Sequence, residues 1–216
     1  MEEPFLDAEE GAILREEVTD EVVMASQVDI DASKKVRTTK RRIFNKKVSE
    51  FKEQVGKDFN VLKAAYEEIV LAYSELDIAS DEYYDLVEGE VVEVDYMAEP
   101  YREKSNAQAQ LQDAEFAVAQ GKLKSNMTKF QNDKPSKVII EWCSEKSIGF
   151  SDLRKELAKV EAEYVKLNEE HAAVIAMKPM ADLSELAKEF TSLVGEEYAR
   201  CKKVGFTYLQ ADVPPV

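Results

Sequence analysis

The chain has 216 residues, 34% of them charged, with a mean hydropathy of −0.42 and a formal net charge of −15. It is long enough to bury a core without staples, and no run approaches the ~18 consecutive apolar residues of a membrane span, so no membrane partner is expected. The opening MEEPFLDAEE does not read as a secretory signal, and Cys143 and Cys201 lack metal-ligand spacing, so reduced thiols in an intracellular protein, cytoplasmic or nuclear, are expected.

The charge is unevenly spread. Residues 1–33 hold one basic and eleven acidic side chains, and residues 34–57 hold ten basic and two acidic. Residues 58–133 hold six basic and seventeen acidic, and residues 134–216 hold twelve and fourteen. Residues 1–33 read as an acidic flexible arm, the alternative being a segment that folds back over the basic stretch or onto a partner. Ser33 is the expected N-cap of a first long helix. Lys34, Lys35, Arg37, Lys40, Arg41, Arg42, Lys46 and Lys47 crowd its opening turns and form the candidate contact patch. Such a patch can neutralise phosphates. No aromatic interleaving or nucleic-acid motif accompanies it, and acidic groups of the same chain compete for it.

A ladder follows: Phe44, Val48, Phe51, Val55, Phe59, Leu62, Tyr66, Ile69, Tyr73, Leu76, Ser80, Tyr83 and Val87. Steps of three and four place these on one helical face. Two consecutive fours flank Gly56, which predicts a break there with Asp58 capping a second helix to about Glu88. That helix's outer carboxylates (Glu67, Glu68, Glu75, Asp77, Asp81, Glu82, Asp85) read as a solvated face, since His171 is the only histidine and no E-x-x-H pair exists.

After the connector GEVVEVDYMAEP, a third helix is expected to begin between Glu93 and Pro100 and run to about Lys124. Its weak stripe is Tyr96, Tyr101, Leu111, Phe116, Val118 and Leu123. Turn formers near Gln131–Pro135 make residues 125–135 read as a linker. A short helix from Pro135 or Ser136 carries Val138, Ile139, Ile140 and Trp142, and Ser151 caps the next, which ends at Met177 before Pro179. A last helix starts at Asp182 or Ser184 with Leu183, Leu186, Phe190, Leu193 or Val194, Tyr198 and Cys201 inward. Gly205 is expected to end it, leaving residues 206–216 as a flexible tail.

The second half restates the first at an offset of 91 residues: Phe59, Leu62, Ile69, Tyr73 and Leu76 fall on Phe150, Leu153, Val160, Tyr164 and Leu167, and Val48 and Phe51 on Ile139 and Trp142. Duplication and convergent helix patterning both account for this. The expected fold is all-α: antiparallel helical hairpins or three-helix bundle units with coiled-coil-like packing, in tandem. Unit 1 covers residues 34–124 and unit 2 residues 136–205.

There is no Gly-rich phosphate loop, C-x-x-C or H-E-x-x-H, and His171 sits at a ladder position, where it reads as a packing residue. No catalytic residue, metal or cofactor is expected. The basic helix start, the Tyr/Leu ladder ending near DEYYDLV, and VDYMAEPYREKSNAQAQLQDAEF together resemble the N-terminal helical region of metazoan BEL/Pao-type retrotransposon polyproteins over about residues 34–120. The resemblance rests on charge layout and aromatic placement, and it implies a gag-like assembly module. Zinc-knuckle, protease and polymerase signals are lacking, so no activity or site residue carries over. The expected function is a non-enzymatic helical protein–protein interaction or self-assembly module. The alternative is nucleic-acid binding through Lys34–Lys47.

Overall fold

Helix α1 (Gln27–Gln54) turns one narrow stripe inward, with Phe44, Val48 and Phe51 buried. It starts two turns before Ser33, because the Ser26 hydroxyl accepts from the Asp29 amide and caps it. The computed structural model describes residues 26–87, 96–144, 149–179 and 181–211, and all regular structure among them is helical. Residues 26–33, expected to belong to a flexible arm, are thus part of α1, while the arm's docking on the basic stretch lies outside the described residues.

The break at Gly56 is where the ladder places it. Gly56 has φ +82°, a left-handed conformation that costs a residue with a Cβ about 1–2 kcal/mol. Asp58 then caps α2 (Phe59–Leu86) by accepting from the Asn60 and Val61 amides. The short turn folds α2 back on α1, and Leu62, Ile69, Ala72 and Leu76 join the α1 stripe in one core.

Helix α3 (Ala98–Asp133) departs furthest from the sequence expectation. It is one rod of 36 residues, about 54 Å long at 1.5 Å per residue. The segment expected to be a linker, residues 125–135, is mostly its last turns, with Met127 and Phe130 buried. Ala107, Leu111 and Ala114 face the α1–α2 core, whereas Phe116, Ala119, Leu123, Met127 and Phe130 face a second one. At 3.6 residues per turn these two sets point about 150° apart around the helix. Tyr101 and Val118, expected in a single stripe, join neither core and are exposed.

The α3 rod ends at Lys134, the one non-glycine residue with positive φ among those described, and Pro135 opens α4 (Pro135–Ser144). Proline suits a first helical turn because its missing N–H would be an orphan there. Helix α5 (Phe150–Met177) follows, then α6 (Ser184–Phe190), a π-helical turn (Thr191–Gly195) and α7 (Glu196–Ala211). The π turn has a sequence cause. Leu186, Phe190 and Val194 are spaced by fours, and fours drift about 40° each on an α-helix of 3.6 residues per turn. One wide turn keeps all three, together with Cys201, in the second core.

The 91-residue repeat is visible in three dimensions: α2 and α5 each have 28 residues and begin and end at offset positions. Leu62, Ile69 and Leu76 are buried, as are Leu153, Val160 and Leu167. The counterpart of α1 is the end of α3 followed by α4, so the third helix of one unit runs on as the first of the next. Gly205 does not end the last helix. It is buried inside α7, where a Cβ would stand 2.6 Å from Leu157 Cδ1, so it permits close approach to α5.

Phe130→Ala is expected to lower unfolding stability by about 3–5 kcal/mol in urea denaturation, as for a core aromatic. A linker residue at that position would cost no more than about 0.5 kcal/mol.

Candidate interaction surface on the first helical pair

The structure divides the eight basic residues of the candidate patch into three groups. Arg37, one heptad before Phe44, is on the buried stripe and only 5% exposed. Its guanidinium lies 3.9 Å from the ring centres of both Tyr83 and Tyr96, with Tyr84 at 5.6 Å. Its Nε and Nη1 have no hydrogen-bond partner, so the facing rings are what stabilise the charge. This residue fastens α1 to α2 and to the start of α3; it is not a free contact.

The second group is neutralised within the chain. Lys40 pairs with Glu75 at 2.8 Å, and Lys47 pairs with Glu68 at 2.7 Å and Glu50 at 2.9 Å. Lys46 lies 3.6 Å from Glu50, while Arg41 donates to the Tyr96 carbonyl and pairs with Glu99. Hydrogen bonds with Glu68 and Glu50 hold the Lys47 ammonium above its ordinary pKa, and the bond from Lys47 holds Glu50 below its own. Lys34, Lys35 and Arg42 form the third group: exposed, with no side-chain ion pair or hydrogen bond among the described residues.

The pairs Lys40–Glu75 and Lys47–Glu68 run along the outer seam of the antiparallel α1–α2 pair, away from α3. Beside them stand apolar side chains that the fold leaves uncovered: Val36 and Ile43 on α1, Leu71 (63% exposed) and Ile78 (57%) on α2. Heptad spacing aligns each couple along its helix. The ladder reading missed them because they lie off the buried stripe. The signal was a second, shorter repeat at the same period.

Two clefts among the described residues illustrate how little enclosed space lies elsewhere. One between the end of α3, α4 and α5, lined by Asp133, Pro135, Glu156 and Lys159, holds about 260 Å³, and another beside Asn126 and Glu170 about 100 Å³. Small-molecule sites commonly need about 300–1,000 Å³. Among the described residues no cluster of His, Cys, Asp or Glu suits a metal, and no helix is long and apolar enough to cross a membrane. The Cys201 thiol is fully buried and pushed up to about 11 by that burial, which leaves it unreactive.

Two buried polar groups in the second unit are structural. Burial would raise the Glu197 carboxyl, but bonds from Ser136 and Arg200 outweigh it and hold the group below its usual range. From α7, Glu197 thereby caps the amide end of α4, a contact with no local sequence signal. His171 stacks on Phe190, ring centres 4.4 Å apart, and its Nε2 is buried without a partner, so burial lowers its pKa. Comparison with family models, curated proteins and solved structures finds no match to this chain.

The sign of the pH effect follows from the direction of the His171 shift. The unfolded chain takes up a proton near pH 6.5 and the folded chain only at lower pH, so stability is full above about 6.5 and declines below it. His171→Phe is expected to flatten the stability profile between about pH 6.5 and 5, read by thermal unfolding. An unchanged slope would show that His171 is not the group responsible.

Proposed function

We propose that this chain is a non-enzymatic helical module for protein–protein interaction or self-assembly, working inside the cell. The observation that carries the reading is the uncovered apolar row Val36, Ile43, Leu71 and Ile78, which stands between charged groups of the same face. Uncovered apolar rows rimmed by polar groups are typical of contact surfaces. The small clefts and the solvated, scattered carboxylates support a binding role over catalysis. The gag-like resemblance of residues 34–120 agrees with an assembly role and supplies a retroelement origin as part of the same proposal.

Leu71→Ser/Ile78→Ser should keep the helical circular dichroism of the parent and lose association. The measurement is size-exclusion chromatography with light scattering, alongside cross-linked capture from native extract. If parent and variant are both strict monomers and capture the same proteins equally, the reading fails.

Nucleic-acid binding through the α1 segment is the second reading, favoured by the three unpaired cations Lys34, Lys35 and Arg42. Three phosphate contacts predict a slope of about −2 to −3 in log K against log salt, where eight would give about −7. Lys34→Gln/Lys35→Gln/Arg42→Gln should abolish that binding. Persistence of the steep slope would show instead that the paired lysines open to reach the nucleic acid.

A further inference from the structure

We propose that the α1–α2 outer face pairs with the same face of a second copy of this chain, by a two-fold axis parallel to the helices. The inference rests on the interaction-module reading and names its partner.

The first observation concerns what the fold requires. The repeat lets each position on α2 be compared with its counterpart on α5, 91 residues on. At the core positions the apolar residues are kept, as Leu62, Ile69 and Leu76 against Leu153, Val160 and Leu167. At the outward positions they are not. Leu71 and Ile78 correspond to Ala162 and Glu169, both exposed. A helix of the same length, carrying the same buried stripe, is therefore built in the second unit with Ala162 and Glu169 at these two positions, its exposed Val165 falling instead on the counterpart of Ser74. Packing of the monomer does not account for Leu71 and Ile78.

The second observation is charge. Outside the apolar row, α1 presents the exposed cations Lys35 and Arg42, together with Lys46, which stays exposed beside its 3.6 Å pair with Glu50 on the same helix. Outside it on the other side, α2 presents the exposed carboxylates Glu67 and Asp85. One face thus carries a basic flank, an apolar row and an acidic flank side by side. Such a surface is its own complement under one rotation only. A two-fold axis parallel to the helices lays α1 of one copy over α2 of the other, bringing basic flank onto acidic flank on both sides. A two-fold axis across the helices would stack α1 on α1 and α2 on α2, setting like charges together.

The third observation is register. Lys40–Glu75 and Lys47–Glu68 fix the heights of the two helices against each other. Within that register Lys46 stands near the height of Glu67, and Lys35 about 7.5 Å along the axis from that of Asp85. A rotation about an axis along the helices keeps heights unchanged. Lys46 of each copy therefore meets Glu67 of the other and Lys35 comes within reach of Asp85, while the row of Val36, Ile43, Leu71 and Ile78 is closed from water between them.

Complementary charge reversal tests this. One full-length variant carries Lys35→Glu, Arg42→Glu and Lys46→Glu, and a second carries Glu67→Lys and Asp85→Lys. All five sites are exposed, and circular dichroism with thermal unfolding verifies the fold of each. Sedimentation of the parent is expected to show a dimer that weakens with added salt. Each variant alone is expected to self-associate about tenfold or more weakly, and the two mixed to form a one-to-one dimer. Leu71→Glu should also dissociate the parent dimer. A monomeric parent overturns the self-pairing, and so does a parent dimer that both variants retain or that mixing fails to restore. Loss of extract partners on Leu71→Ser/Ile78→Ser, with the parent monomeric, would reject the second copy while keeping the interaction-module reading.

Discussion

The switch of apolar face along α3 is the constraint on which the rest depends. Ala107, Leu111 and Ala114 commit the first half of the rod to the α1–α2 core, and Leu123, Met127 and Phe130 commit the second half to the other. Neither face suffices alone. A three-helix unit needs a third stripe to close its core, and α3 supplies one to each. Because no loop separates the two halves, the junction is helical and hydrogen-bonded throughout. The packing of α3 also decides which face of the first unit stays open. It occupies one groove of the α1–α2 pair and leaves the opposite seam, with its two ion pairs, in water.

That switch marks where the sequence could be read and where it could not. The ladder from Phe44 to Leu76 was legible because one face stays inward through two helices, and its core residues Phe44, Phe51, Leu62 and Ile69 are buried. Gly56 and Asp58 were legible because each carries a local conformational cause. On α3 the same periodicity test failed: it sums one face, and here two faces cancel. Tyr101 and Val118 looked inward on a single-stripe reading and are exposed. The polar letters of residues 125–135 resembled a linker, although Met127 and Phe130 are three apart, a helical spacing. Gly205 looked like a terminator, and the contact with Leu157 that explains it lies 48 residues upstream.

The basic segment shows the same limit for electrostatics. Composition counts charges without showing which are already matched. Arg37 is spent on Tyr83 and Tyr96, and four others reach Glu50, Glu68, Glu75, Glu99 or a backbone carbonyl. The acidic surplus of residues 58–133 is thus partly the counterpart of the basic start of α1. What was read as two opposed regions is, in the folded chain, largely one set of contacts between neighbouring helices. Arg37 was misassigned for a further reason. A cation on a ladder position looks like a break in the apolar pattern until the tyrosines that face it are known, and Tyr96 is 59 residues away.

The seam pairs add little to stability, since exposed ion pairs contribute only about 0–1 kcal/mol each. Their consequence is geometric. Lys40–Glu75 and Lys47–Glu68 hold α1 and α2 at one relative height and keep those four charged groups turned toward each other. The unpaired flanks, Lys35 and Arg42 on one side and Glu67 and Asp85 on the other, are then left as two parallel rows of opposite sign. Apolar side chains alone would hold an incoming helix pair in many orientations, because burial is not directional. Two rows of opposite sign beside an apolar row remove the orientations that bring like rows together, so the charges select the arrangement while Leu71 and Ile78 supply the burial.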